Sequence, residues 1–182
     1  MAESLVEVKI LGLVPSSSGI AVFLGNDEKA FSIHVDGGVG TNIALILQGN
    51  KRERPLTHDL IGLIFKAFSI SVERVVINDL RNDTYYARLT LKMENEVHTR
   101  ITEIDARPSD CLAIALEAGK KVFVAPKVWN EVVDISATLE EMKEKMEHSD
   151  IDDLFGGAND EEDDDDEDSD DEDEDDQESG KS

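Results

Sequence analysis

Hydrophobic and polar positions change period several times along this chain. Val6, Val8 and Ile10 lie on one side of the segment Leu5 to Val14 and Glu7 and Lys9 on the other, the two-residue period of a half-buried strand. Pro15-Ser-Ser-Ser-Gly19 is a turn cluster. Ile20 to Leu24 is continuously apolar, as in a strand covered on both faces. Phe31, Ile33 and Val35 alternate with Ser32 and His34 to give a third strand, which Gly37-Gly38 breaks. Ile43 to Leu47 then predicts a short apolar helix ending near Gly49.

From Leu56 onward the period lengthens. Leu60, Leu63, Ile64 and Ala67/Phe68 recur at helical spacing, with Thr57 as the expected N-cap and Asp59 in the first turn, where a carboxylate suits the helix dipole. A three-strand meander follows over Val72 to Ile77, Tyr85 to Lys92 and Val97 to Asp105, with turns at Arg81-Asn-Asp83 and near Asn95. In its middle strand Tyr85, Ala87, Leu89 and Leu91 share one face, and Tyr86, Arg88, Thr90 and Lys92 the other. Arg107-Pro-Ser-Asp110 opens a helix whose residues Cys111 to Leu116 are almost all apolar, so the helix is expected to be buried. Pro108 suits its first turn and Gly119 its end. Val122 to Val124 is a last short strand. Beyond Pro126 comes one more amphipathic helix, with a capping box of Thr138 and Glu141 and a stripe of Leu139, Met142 and Met146. Strands interleaved irregularly with helices predict an α+β fold, a mostly antiparallel sheet with helices packed on it.

Charge divides the 182 residues unevenly. The net charge is −24, but residues 160–182 hold 17 acids and one base, and residues 131–159 nine acids and two bases. Residues 1–130 hold 16 acids and 15 bases, so they are nearly neutral. The expected organisation is a folded domain over 1–130, an amphipathic helix and linker over 131–159, and a disordered polyacidic tail over 160–182 with Gly156-Gly157 as a hinge. The charge as a whole argues against nucleic acid as a partner, whereas the neutral body leaves that partner open. A single cysteine, Cys111, forms no internal disulfide or zinc cluster. No secretion signal and no apolar run long enough to span a membrane is visible, so the expectation is a cytoplasmic protein with no membrane partner.

Two segments share one form, Arg54-Pro-Leu-Thr-His-Asp59 and Asp105-Ala-Arg-Pro-Ser-Asp110. Each puts Arg, Pro, a hydroxyl residue and Asp at the start of an apolar helix, where unpaired N–H groups suit an anion. Arg54 and Arg107, with Thr57 and Ser109, are candidates to hold a phosphate. Asp59, Asp105 and Asp110 are candidate ligands for Mg²⁺ or Mn²⁺, and His58 is a candidate acid or base. If the two helix starts meet, His58, Asp59, Asp105 and Asp110 form a set competent for phosphodiester hydrolysis. The structural alternative makes Thr57 and Ser109 caps, Asp59 and Asp110 partners of helix dipoles, and Arg107 an ion-pair partner of Asp105.

RPLTHDLI, ERVVINDLRNDTYYARLTL and DARPSDCLAIAL, in this order, resemble the bifunctional nuclease domain family. The likeness runs from about Val6 to Val128 and is strongest over Arg54–Val124. That resemblance implies an α+β domain and a nuclease acting on DNA, RNA or both. It places Arg54, Thr57, His58, Asp59, Asp105, Arg107, Ser109 and Asp110 in the family's signature, without assigning a nucleophile or a base. Two departures stand out. Val39-Gly40 replaces a Glu-Ala common after the third strand, and Cys111 replaces an Ala, a packing change.

His34, His98 and His148 are expected as surface histidines, and Tyr86, Arg88 and Lys92 as a strip able to stack a base or to face solvent. No phosphate loop, HExxH helix, GxSxG elbow or CxxC pair occurs, so kinase, zincin and serine-hydrolase chemistry have no support. The alternative to catalysis is a binding or regulatory module for nucleic acid or a phosphate ligand, with the tail recruiting basic protein partners. Ile151, Leu154 and Phe155 form a short apolar cluster that can dock a partner or fold back. Homo-oligomerisation remains open.

Overall fold

The structure, a computed structural model, describes residues 4–49, 53–94 and 97–148, with side chains of the last helix to Glu144. The polyacidic tail, the hinge and the Ile151/Leu154/Phe155 cluster lie outside the described residues. Met1–Glu144 is one compact unit. Its elements are β1 (Val6–Ser16), β2 (Gly19–Gly25), β3 (Ala30–Val35), α1 (Gly37–Leu47), α2 (Thr57–Ala67), β4 (Ile70–Arg81) and β5 (Thr84–Glu94). They continue with β6 (Thr99–Ala106), α3 (Pro108–Glu117), β7 (Val122–Val124), α4 (Pro126–Glu131) and α5 (Ser136–His148).

Seven strands form a sheet in the order β3-β2-β1-β7-β4-β5-β6. All pairings are antiparallel except β7 with β4, where Val75, Val76 and Ile77 lie beside Val122, Phe123 and Val124. The protein is therefore an α+β fold, as the pattern predicts. The meander is built as expected. Asn82 and Asp83 take positive φ between β4 and β5, a conformation these two residue types tolerate in tight hairpin turns. Ala87, Leu89 and Leu91 of β5 are buried, as their shared face requires.

The apolar run of β2 is covered on both sides. Val22 and Leu24 join the main core with Ile33, Ile43, Val75, Leu89 and Leu112. Ala21 and Phe23 face a smaller cluster with Ala30 and Leu139 of α5. α5 thus begins two residues before the expected Thr138 cap. Asp134 accepts hydrogen bonds from the backbone N–H and the hydroxyl of Ser136 at that start.

Three helices differ from the sequence expectation. α1 starts at Gly37 instead of near Ile43, so the glycine pair, which follows the end of β3 at Val35 as expected, also forms the first turn of the helix. Asp36 makes this possible by accepting from the Val39 N–H at 3.0 Å. Gly40 is required there: a Cβ would lie 2.7 Å from the Cβ of Ile20 on β2. α4 is an additional short helix, seated by Val128 and Trp129, whose ring meets Phe31 edge-on with centroids 6.2 Å apart. In α2 the buried residue is His58, while the apolar stripe turns outward. Leu60 and Leu63 are each 51% exposed, Ile64 45% and Phe68 68%. α3 ends as expected, with Gly119 at φ 62 and the Lys120 N–H bonded to the Ala115 carbonyl.

The contact at Gly40 makes a direct prediction. Gly40→Ala pushes α1 off β2 and should cost about 1–3 kcal/mol of stability in urea unfolding. Unchanged stability would mean that α1 does not sit on Ile20 this closely.

Candidate nuclease centre

His58 is the second residue of α2, and its ring is driven into the junction of α1, α2 and α3, where it is 7% exposed. Both ring nitrogens have partners. The side-chain amide nitrogen of Asn42, on α1, lies 3.0 Å from Nδ1. Nε2 lies 3.1 Å from Oδ1 of Asp110, on α3. A carboxylate only accepts, so Nε2 carries the proton and Nδ1 accepts from Asn42; a neutral ring satisfies both bonds.

Asp110 is gripped from its other side by Arg107. The guanidinium donates through Nε to Oδ2 at 2.8 Å and through a terminal nitrogen to Oδ1 at 3.2 Å. The other terminal nitrogen stands 3.7 Å from Oδ2 of Asp36, the N-cap of α1. One chain of contacts therefore runs Asn42, His58, Asp110, Arg107, Asp36 and ties together the starts of all three helices. Burial raises the Asp110 pKa, but the hydrogen bonds from Arg107 and His58 outweigh it and hold the carboxyl below the usual range. Asp110 in turn raises the Arg107 pKa.

The two Arg-Pro segments do meet, but their members part company. Arg107 pairs with Asp110 and Asp36, not with Asp105. Asp105 is the next-to-last residue of β6, opposite Arg88 of β5. Together with Asp110 it acts on Cys111, whose thiol is pushed up to about 12, by burial first and these two charges second. Cys111 is an inert core residue. Asp59 accepts the Leu56 N–H at 2.7 Å, so the N-cap of α2 is Leu56 and Thr57 is its exposed first residue. Arg107 holds the N-cap position of α3, and Ser109 is buried in the first turn behind Pro108.

Arg54, His58 and Asp59 line a cleft of about 700 Å³ between α2 and the end of α3. Lys66 and Lys120 add positive charge to its wall, Glu53 and Glu117 negative charge, and Phe65, Ile70 and Ile114 apolar surface. Arg107, Ser109 and Asp110 lie outside this wall, so His58 is the link between the cleft and the ion-pair chain. Among the described residues no group of three or more His, Cys, Asp or Glu side chains converges to hold a metal ion. The expected set Asp59, Asp105 and Asp110 does not fit one: Asp59 caps its helix, and Arg107 already brings a cation to both oxygens of Asp110.

Sequence reasoning missed Asn42 and Asp36. Asn42 was detectable as the polar residue inside the apolar stretch of α1, and Asp36 as a capping type directly before it. The Tyr86/Arg88/Lys92 strip is a solvent face with internal partners: Arg88 pairs with Glu103 at 2.9 Å, Lys92 with Glu94, and Tyr86 stacks under Arg81. His34 and His98 are exposed as expected. The His148 side chain lies outside the described residues.

The α+β sheet with three helix starts joined through a His–Asp–Arg chain is the frame on which comparison with known proteins can be placed. The bifunctional nuclease domain model matches residues 22–138, and the chain belongs to that family. Two proteins of Mycobacterium tuberculosis, Uncharacterized protein MT1877 of strain CDC 1551 / Oshkosh and Uncharacterized protein Rv1829 of strain ATCC 25618 / H37Rv, are similar to it. Each is 35% identical over 126 residues, or 67% of this chain and 73% of the relative.

The lowered Asp110 pKa carries a sign. Its contribution to stability is present above the unfolded value near 4 and is lost as pH falls through the folded value. The stability gap between wild type and Asp110→Asn should therefore be widest at neutral pH and close below about pH 4. A gap that stays constant from pH 7 to pH 3 would show that the carboxylate is not held this way.

Proposed function

We propose that this protein is a nuclease that hydrolyses phosphodiester bonds of DNA, RNA or both. The supporting observation is the Asn42–His58–Asp110–Arg107 chain, which presents an ionised carboxylate and a partly exposed guanidinium beside the cleft. In this reading Arg107 donates to a phosphate oxygen and stabilises the charge that grows on it during attack. Asp110, acceptor-only at neutral pH, orients the attacking water. Its depressed pKa makes it a weak base, so its main contribution is position. His58 and Asn42 touch neither water nor phosphate in this scheme; they fix the Asp110 carboxylate. Arg54 and Lys120 bind the remaining backbone of the nucleic acid along the cleft. Because the carboxylates do not form a metal cluster, no step is routed through Mg²⁺ or Mn²⁺, and metal dependence is an experimental variable.

The test is purified full-length protein on labelled single- and double-stranded DNA and RNA, with Mg²⁺, with Mn²⁺ and with chelator. Cleavage is expected, with Asp110→Asn and Arg107→Gln each losing about 10²-fold or more. Cleavage that survives both changes would reject this centre. Binding without cleavage by wild type would replace the nuclease with a binding or regulatory module.

A further inference from the structure

The outward face of α2 has no partner within the described chain. Leu60, Leu63, Ile64, Ala67 and Phe68 fall within one sector of the helix, and all five are exposed. Leu56, just before the helix, extends the same stripe and is also exposed. Together they form one contiguous apolar stripe on the protein surface, a feature that marks interaction sites. The other exposed apolar residues do not make such a face. Ile101 and Ile104 on the edge strand β6 alternate with Thr, Glu and Asp.

The flank of the stripe identifies its occupant. Asp59 and Lys66 lie seven residues apart, hence on the same side of α2, one near each end. When two identical helices pack antiparallel about a two-fold axis, equivalent flanks meet and opposite ends face each other. Asp59 of one copy then stands opposite Lys66 of the other, and the reciprocal pair forms across the axis. A parallel arrangement gains no such pairing. The spacing of Leu56, Leu60, Leu63 and Ala67 is the alternating three-four repeat of a helix–helix seam.

We propose that the protein is a two-fold symmetric dimer, with α2 of each copy packed antiparallel on α2 of the other through Leu56, Leu60, Leu63 and Ile64 and flanked by reciprocal Asp59–Lys66 pairs. Asp59, Leu63 and Lys66 also line the cleft, so the partner copy completes one side of its mouth. This inference does not depend on the nuclease reading.

Light scattering on full-length protein at micromolar concentration should give twice the 20.1 kDa chain mass. Leu60→Glu with Ile64→Glu changes side chains that are about half exposed, so the variant should fold with unchanged circular dichroism and run as a monomer. Lys66→Glu should weaken association about tenfold by setting two acids against each other, and Asp59→Lys with Lys66→Glu should restore it. A monomeric wild type would overturn the proposal and indicate that another segment of the chain covers the stripe. A dimer that persists in the Leu60→Glu, Ile64→Glu variant would overturn it in favour of a different interface. Failure of the exchanged pair to restore association, in a variant that is folded by circular dichroism, would overturn the antiparallel geometry.

Discussion

Three residues hold the two halves of this sheet together. Val122, Phe123 and Val124 of β7 pair with the first residues of β1 on one side and with the middle of β4 on the other. Without them β1–β3 and the β4–β6 meander are separate antiparallel units with apolar faces to cover. The parallel pairing with β4 requires a crossover from the edge strand β6 back to the centre, and α3 is that crossover. Its near-complete burial follows, because it lies over the sheet and between α1, α2 and the strands. The position of Arg107 and Asp110 is a consequence of this path: they are where the chain leaves β6 and starts across.

The centre inherits its rigidity from the same geometry. α1, α2 and α3 each begin near one place, and each contributes polar side chains to one chain of contacts. Asp36 caps α1 and reaches Arg107; Asp110 serves the dipole of α3 and accepts from His58; Asn42 closes the chain on the far side of the ring. Burying a histidine in an apolar junction is costly unless its ring nitrogens find partners, and both nitrogens of His58 do. That cost favours one arrangement of the three helices over alternatives with the same apolar contacts. The cap and ion-pair roles expected of these residues are therefore met, and such roles do not preclude a chemical one.

Charge separates into two regimes. The body around the cleft is mixed, with Arg54, Lys66 and Lys120 balanced by Glu53, Asp59 and Glu117, while 17 of the acids fall in residues 160–182. A neutral cleft does not repel a polyanion, and local donors matter more there than net charge. The strong negative charge of the chain therefore belongs to residues 131–182 rather than to the residues around the cleft.

The strands, the meander and its Asn-Asp turn were all legible in the sequence, because period-two alternation and residues tolerant of positive φ are local properties. So were the positions of Arg54, His58, Arg107 and Asp110 at helix starts, and family membership through three long motifs. The tertiary structure alone decided which of these meet. His58 lies 52 residues from Asp110, and no local rule selects it over Asp105 or Asp59 as the partner. Only the crossover of α3 and the seating of α1 on Ile20 through Gly40 bring His58 and Arg107 to one carboxylate, with Asn42 behind the imidazole. The same holds for α2: a three-four apolar spacing states that a helix has an apolar face, but whether that face meets the core or water depends on which side the buried His58 turns inward.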